Sequence, residues 1–89
     1  MNILFHRTFE KDYQILPEPI KRAVVRFIDE VKKANTLREI KDCKKLEGVE
    51  NGYRVRCGDY RVLFLLIVKD NTVYIRRVLP RGQAYKKHN

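Results

Sequence analysis

The chain is short of the residues that staple, coordinate or anchor a protein. Its two cysteines, Cys43 and Cys57, are too few for a disulfide framework, and no Cys-x-x-Cys or Cys/His spacing suits zinc. Both read as free, buried thiols of a reducing compartment. The first residues, Met1-Asn2-Ile3-Leu4-Phe5-His6-Arg7, lack the long apolar stretch of a signal peptide, and no apolar run approaches the ~20 residues of a membrane span. Repeats, low-complexity tracts and Gly/Ser linkers are also missing. The expectation is one soluble domain, residues 1–89, in the cytoplasm and without a membrane partner. A hydrophobic content of 44% suffices for the modest core of so short a chain.

Acidic residues are few as well. Twenty Lys and Arg stand against eleven Asp and Glu, a net charge of +9. That excess is more than solubility needs and implies a polyanionic partner, such as nucleic acid, a ribonucleoprotein or an acidic protein.

The hydrophobic pattern then divides the chain. Residues 2–6 read as a short strand, and Thr8 is placed to cap a short helix to about Ile15, with Glu10 in its first turn. Pro17 and Pro19 open a second helix over about 19–34, where Ile20, Val24, Phe27, Ile28 and Val31 fall at the helical repeat. Thr36-Leu37-Arg38-Glu39 has the form of a capping box and predicts a short third helix, in a region ended by Gly48. From Asn51 the period changes to two. Tyr53-Arg54-Val55-Arg56-Cys57 alternates strictly, Gly58-Asp59 suits a two-residue hairpin loop, and Tyr60 to Val68 reads as a central strand. Asp70-Asn71 offers another tight turn before a last strand, Thr72 to Leu79, ended by Pro80. The order β-α-α-(α)-β-β-β predicts an α+β domain, a small antiparallel sheet with helices packed on one face.

That hairpin loop fixes where the arginines point. Cys57 pairs with Tyr60, Arg56 lies opposite Arg61, and Arg54, Arg56 and Arg61 share one face. Tyr53, Val55, Cys57, Tyr60, Val62, Phe64, Leu66 and Val68 take the other, beneath the helices. Carrying the register across Asp70-Asn71 sets Arg76 opposite Leu65 on the arginine face, where Tyr74 joins it, and turns Arg77 to the helix side as a structural ion pair. Like charges opposed on a sheet repel. Two readings of the face stand: a solvated polar surface neutralised by Glu47 or Glu50, or a phosphate site suited to the guanidinium fork.

The residues also resemble a family. Lys45-Leu46-Glu47-Gly48, Tyr53-Arg54-Val55-Arg56-Cys57-Gly58-Asp59-Tyr60-Arg61-Val62, and Arg77-Val78-Leu79-Pro80-Arg81 with Tyr85 look like the toxins of the RelE/ParE superfamily of type II toxin–antitoxin systems. The resemblance spans nearly the whole chain and implies a RelE-like fold. RelE-like members cut mRNA in the ribosomal decoding site, whereas ParE-like members act on DNA gyrase, so the fold alone does not choose.

Matched one at a time, the residues favour the RelE-like branch. Arg54, Arg56, Arg61, Arg81 and Tyr85 fall at the catalytic positions, and Arg76, Tyr74, Lys86 and Lys87 are the candidate RNA contacts. The implied reaction is metal-independent attack of a ribose 2′-hydroxyl on the adjacent phosphate, with no cofactor. The implied partners are a cognate antitoxin, the ribosome and its mRNA, with operator DNA reached only through the antitoxin complex. Relatives commonly carry lysine at the places of Arg54 and Arg56. A guanidinium keeps its proton at any physiological pH and is a poor base, so the resemblance names no general base. Where relatives often read Gly-His-Arg, this chain reads Leu79-Pro80-Arg81, so Pro80 replaces a titrating group. His6 and His88 fall outside the matched positions. A gyrase inhibitor and a non-catalytic toxin-derived binding module are the alternatives; the first predicts toxicity that survives loss of the arginines, the second no growth defect.

Overall fold

The change of hydrophobic period along the chain becomes the change from helix to sheet. The computed structural model describes residues 1–84. Strand β1 (Asn2–Phe5) leads into α1 (Arg7–Gln14) and α2 (Glu18–Lys33), then a single 3-10 turn (Leu37–Glu39). Strands β2 (Cys43–Lys45), β3 (Gly52–Cys57) and β4 (Tyr60–Ile67) follow. A second 3-10 turn (Val68–Asp70), β5 (Thr72–Pro80) and the one-turn α3 (Arg81–Ala84) complete it. The α+β class is as expected. The sheet has five strands in the order β1-β5-β4-β3-β2 and is mixed, because β1 runs parallel to β5.

Local signals set the helix boundaries with two corrections. His6, not Thr8, caps α1: its Nδ1 accepts the Thr8 N–H at 3.0 Å. The expected third helix shrinks to the 3-10 turn. There the Glu39 carboxylate accepts the N–H groups of Asn35 (2.8 Å) and Thr36 (2.9 Å), which hold its carboxyl below the usual range. Ile40 is already extended and Asp42 left-handed at φ 57, so the chain leaves the helix and pairs as β2 with β3. Ile40, Cys43 and Leu46 recur at a spacing of three, which in sequence mimics a helix face.

The hairpin register holds residue for residue. Cys57 pairs with Tyr60, Arg56 with Arg61, and Gly58 sits at φ 61 as a two-residue turn with a positive first angle demands. The face carrying Val55, Cys57, Val62 and Phe64 is buried under Val24, Phe27 and Val31 of α2, with Val73 and Ile75 continuing it on β5. Tyr13, Tyr53 and Tyr60 pack at the margin of this core. On the opposite face Leu46 folds over Leu63 and Leu79 as a small separate apolar cluster.

The β4–β5 register differs from expectation, for two reasons. Strand β4 ends at Ile67, which pairs with Thr72, so the connection takes Val68–Asn71 rather than two residues. Leu65 therefore faces Tyr74, not Arg76. Farther on, Phe64 pairs with Ile75 but Leu63 with Arg77, leaving Arg76 as an extra residue in a β-bulge. The bulge reverses the alternation, so Arg77 stands in the row of Leu63 and Arg54, not on the helix side. Its expected role as an ion pair is met: Arg77 Nε and Nη2 donate to Asp12 of α1 at 2.8 and 3.2 Å. Strand β1 ends beside Ile75, where the His6 N–H donates to the Ile75 carbonyl at 2.8 Å. Beyond it, Asp12 takes over the open edge of β5 by accepting the Val78 N–H at 3.1 Å.

Two stability predictions follow from these contacts. Gly58→Ala forces a side chain into the left-handed region and should lower stability by about 1–2 kcal/mol in urea melts. Asp12→Ala strands a half-buried guanidinium and the Val78 N–H; a loss of about 2–3 kcal/mol is expected, with Asp12→Asn losing less.

Candidate anion-binding face

The hairpin alternation gathers three of the predicted residues. Arg54, Arg56 and Arg61 line one shallow cavity of about 250 Å³ with Lys44 and Asp42. Across the sheet the order is Lys44–Arg54–Leu63–Arg77 in one row and Arg56–Arg61–Leu79 in the next. Arg61 is the least free. It is only 7% exposed, and its Nη1 donates to the carbonyls of Tyr60 (3.1 Å) and Gly58 (3.4 Å), so the turn that sets the register also holds this guanidinium. Arg56, directly opposite, is exposed. Among the described residues neither Arg56 nor Arg61 forms an ion pair.

Opposed guanidiniums without a carboxylate between them are electrostatically unfavourable until an anion arrives. Neither Glu47 nor Glu50 lines this cavity; the carboxylate at its margin is Asp42. Arg81 is brought to the same end of the sheet. Pro80 pairs with Tyr60, and the Arg81 N–H donates to the Asp59 carbonyl at 2.8 Å, so α3 starts against the β3–β4 turn with the Arg81 side chain exposed. Tyr85, Lys86 and Lys87 lie outside the described residues, as does His88.

The structure separates Tyr74 and Arg76 from this group. Tyr74 sits opposite Leu65, four residues along β4 from Arg61, or about 13 Å at the usual strand rise. The Arg76 guanidinium lies 5.6 Å from the Tyr74 ring centroid, and the His6 ring 5.8 Å from it. A larger cavity, about 570 Å³, is lined there by His6, Glu50, Arg76 and Arg77 below the β2–β3 loop. Among the described residues the Arg76 Nε, buried in the bulge, has no hydrogen-bond partner.

Sequence reasoning missed Lys44 and Asp42, because β2 is three residues long and hidden in an apparent helical spacing. The one available signal was Lys44-Lys45 followed by Gly48 ahead of an alternating strand. On the core side of the hairpin, burial pushes the Cys57 thiol up to about 11, against the opposing pull of Arg26 and Arg61, and the Cys43 thiol is raised by the same cause. At pH 8 only about one Cys57 in a thousand is then the reactive thiolate. Alkylation of Cys57 in the native protein should be slower than that of free cysteine by about two orders of magnitude, and should recover in guanidinium. Rapid native labelling would show that the core side of the hairpin is open.

The sequence and the fold are similar to those of known proteins. Residues 3–85 match the family described as the ParE toxin of the type II toxin–antitoxin system parDE. The chain is 38% identical over 86 residues to toxin RelE3 of Methanocaldococcus jannaschii, covering 96% of both. Its fold is similar to a chain of the RelB–RelE antitoxin–toxin complex from Methanococcus jannaschii, with a TM-score of 0.79 and 36% identity over 92% of this chain and 94% of that one. It is also similar to the archaeal RelE–RelB complex from Pyrococcus horikoshii, with a TM-score of 0.76 and 34% identity over 92% of this chain and 96% of that one.

Proposed function

The chain belongs to the RelE/ParE superfamily of type II toxin–antitoxin toxins, and from that premise we propose that it is a ribosome-dependent mRNA endonuclease held inactive by a cognate antitoxin. The observation that carries this reading is the pair Arg56 and Arg61, opposed across the hairpin with Arg54 on the same face and Arg81 at the same end. The 38% identity to toxin RelE3 of Methanocaldococcus jannaschii points the same way, as does the +9 charge.

The reaction is attack of a ribose 2′-hydroxyl on the adjacent phosphate, which leaves a 2′,3′-cyclic phosphate and a free 5′-hydroxyl. Its difficulty is the charge that gathers on the phosphorane oxygens. Arg61, already fixed by the Tyr60 and Gly58 carbonyls, gives a preorganised positive edge that needs no reordering as that charge develops. Arg81 closes on the phosphate from α3, Arg56 stabilises the developing charge, and Arg54 positions the substrate strand. Tyr85 orients the ribose. Tyr74 and Arg76, one cavity away, contact the strand beyond the scissile nucleotide, with the ring as a stacking surface. The antitoxin covers the cationic face with an acidic segment.

A second reading has one observation in its favour, since the matched family is named for ParE. In that case the target is DNA gyrase and the arginine face is dispensable.

Inducible expression in bacteria with 5′-end mapping of transcripts separates the two. The informative variant is Arg56→Ala/Arg81→Ala, because both side chains are exposed and their loss leaves the turn intact. Growth arrest with cleavage inside translated codons is expected for the wild type, and at least a 10²-fold loss of cleavage in the variant. Arrest without cleavage, undiminished in the variant, would favour the gyrase target.

A further inference from the structure

One carboxylate stands among the cations of the face. Cys43 pairs with Val55 and Lys44 with Arg54; one step further along the same ladder, Asp42 falls beside Arg56, which faces Arg61. The left-handed backbone at Asp42, φ 57, takes the residue off the regular strand. Asp42 lines the 250 Å³ cavity, and among the described residues it is the only carboxylate there beside Lys44, Arg54, Arg56 and Arg61. Among the described residues the Asp42 side chain makes no hydrogen bond or ion pair. The other four lining groups are cations at physiological pH and cannot take up a proton.

We propose that Asp42 is the general base of this site, the group that accepts the proton of the attacking 2′-hydroxyl. The assignment rests on the reading of the site as an RNA-cleaving centre and supplies the base that the family resemblance leaves unnamed. The Asp42 carboxylate takes the hydroxyl proton as the 2′-oxygen forms its bond to phosphorus. The bond from phosphorus to the 5′-oxygen breaks with its electron pair, and that oxygen takes a proton from water. Arg56, next to Asp42 and directly across from Arg61, places the phosphate between the base and the preorganised guanidinium. A geometry in which base and anion site adjoin is what in-line attack by a neighbouring hydroxyl requires.

The groups facing Asp42 are Lys44 from β2, Arg54 and Arg56 from β3, and Arg61 from β4. On its helix side a second cavity of about 270 Å³ brings Arg26 and Glu30 of α2, with Lys41 beside them. Among these described groups the other carboxylate is that of Glu30. Glu30 is already engaged: its Oε2 accepts the Lys41 N–H at 3.2 Å.

The test is single-turnover cleavage of ribosome-bound mRNA by the purified protein over the acid-to-neutral pH range, comparing wild type, Asp42→Asn and Asp42→Glu. Asparagine tolerates the left-handed backbone, so the Asn variant keeps the loop. The expected result is a loss of about 10²-fold or more in Asp42→Asn, with the rise in rate at acid pH abolished, ribosome affinity unchanged, and partial recovery in Asp42→Glu. A rate within roughly threefold of wild type overturns the proposal, as does a slower variant that keeps the wild-type pH profile. If the wild-type protein leaves the message intact, or cuts equally well beside a 2′-deoxynucleotide, the RNA-cleavage reading itself fails and the assignment falls with it.

Discussion

A slip of one residue between Cys57 and Tyr60 would put the two strands out of phase: with β4 held in place, Arg54 and Arg56 would turn into the core while Val55 and Cys57 left it. What forbids it is the two-residue turn at Gly58-Asp59, whose first residue needs the left-handed angle that glycine adopts without strain. Burial and charge then cooperate, since either face in the wrong environment would cost several kilocalories. The Arg61 guanidinium returns to the same turn through the Gly58 and Tyr60 carbonyls. The residue that the register places is thus also one that stabilises the register.

A second constraint works at a distance. Strand β1 covers only the first half of β5, and the open edge beyond Ile75 is taken by Asp12, 65 residues earlier than its partner Arg77. The ion pair and the Val78 N–H fix where the end of β5 lies, and α3 begins there with Arg81 against the β3–β4 turn. The bulge at Arg76 is part of this geometry: without the extra residue, Arg77 would point to the helix side and Leu79 would leave its cluster with Leu63. A contact far from the cationic face thereby sets which residues complete it.

These two constraints explain what could be read from the sequence. The hairpin, its register and the grouping of Arg54, Arg56 and Arg61 were legible because alternation and turn chemistry are local. So was the Thr36/Glu39 cap. The parallel pairing of β1 with β5 was not, since it joins residues some 70 positions apart and leaves no periodic trace. Nor was the four-residue β4–β5 connection, which sets Tyr74 rather than Arg76 opposite Leu65, or the bulge, which turns Arg77 to the other face from the one its alternation predicts while keeping the expected ion pair. Strand β2 was hidden by the helical spacing of Ile40, Cys43 and Leu46. With it went Lys44 and Asp42, which line the cationic cavity with Arg54, Arg56 and Arg61.

In the proposed reaction the cationic sheet face binds the phosphate and a neighbouring 2′-hydroxyl is the nucleophile. The most direct measurement is mass spectrometry of the new 3′ end that the purified protein leaves on ribosome-bound mRNA. The account predicts a 2′,3′-cyclic phosphate paired with a 5′-hydroxyl on the downstream fragment. A 3′-hydroxyl with a 5′-phosphate would contradict it, because water and not the ribose would then have been the attacking group.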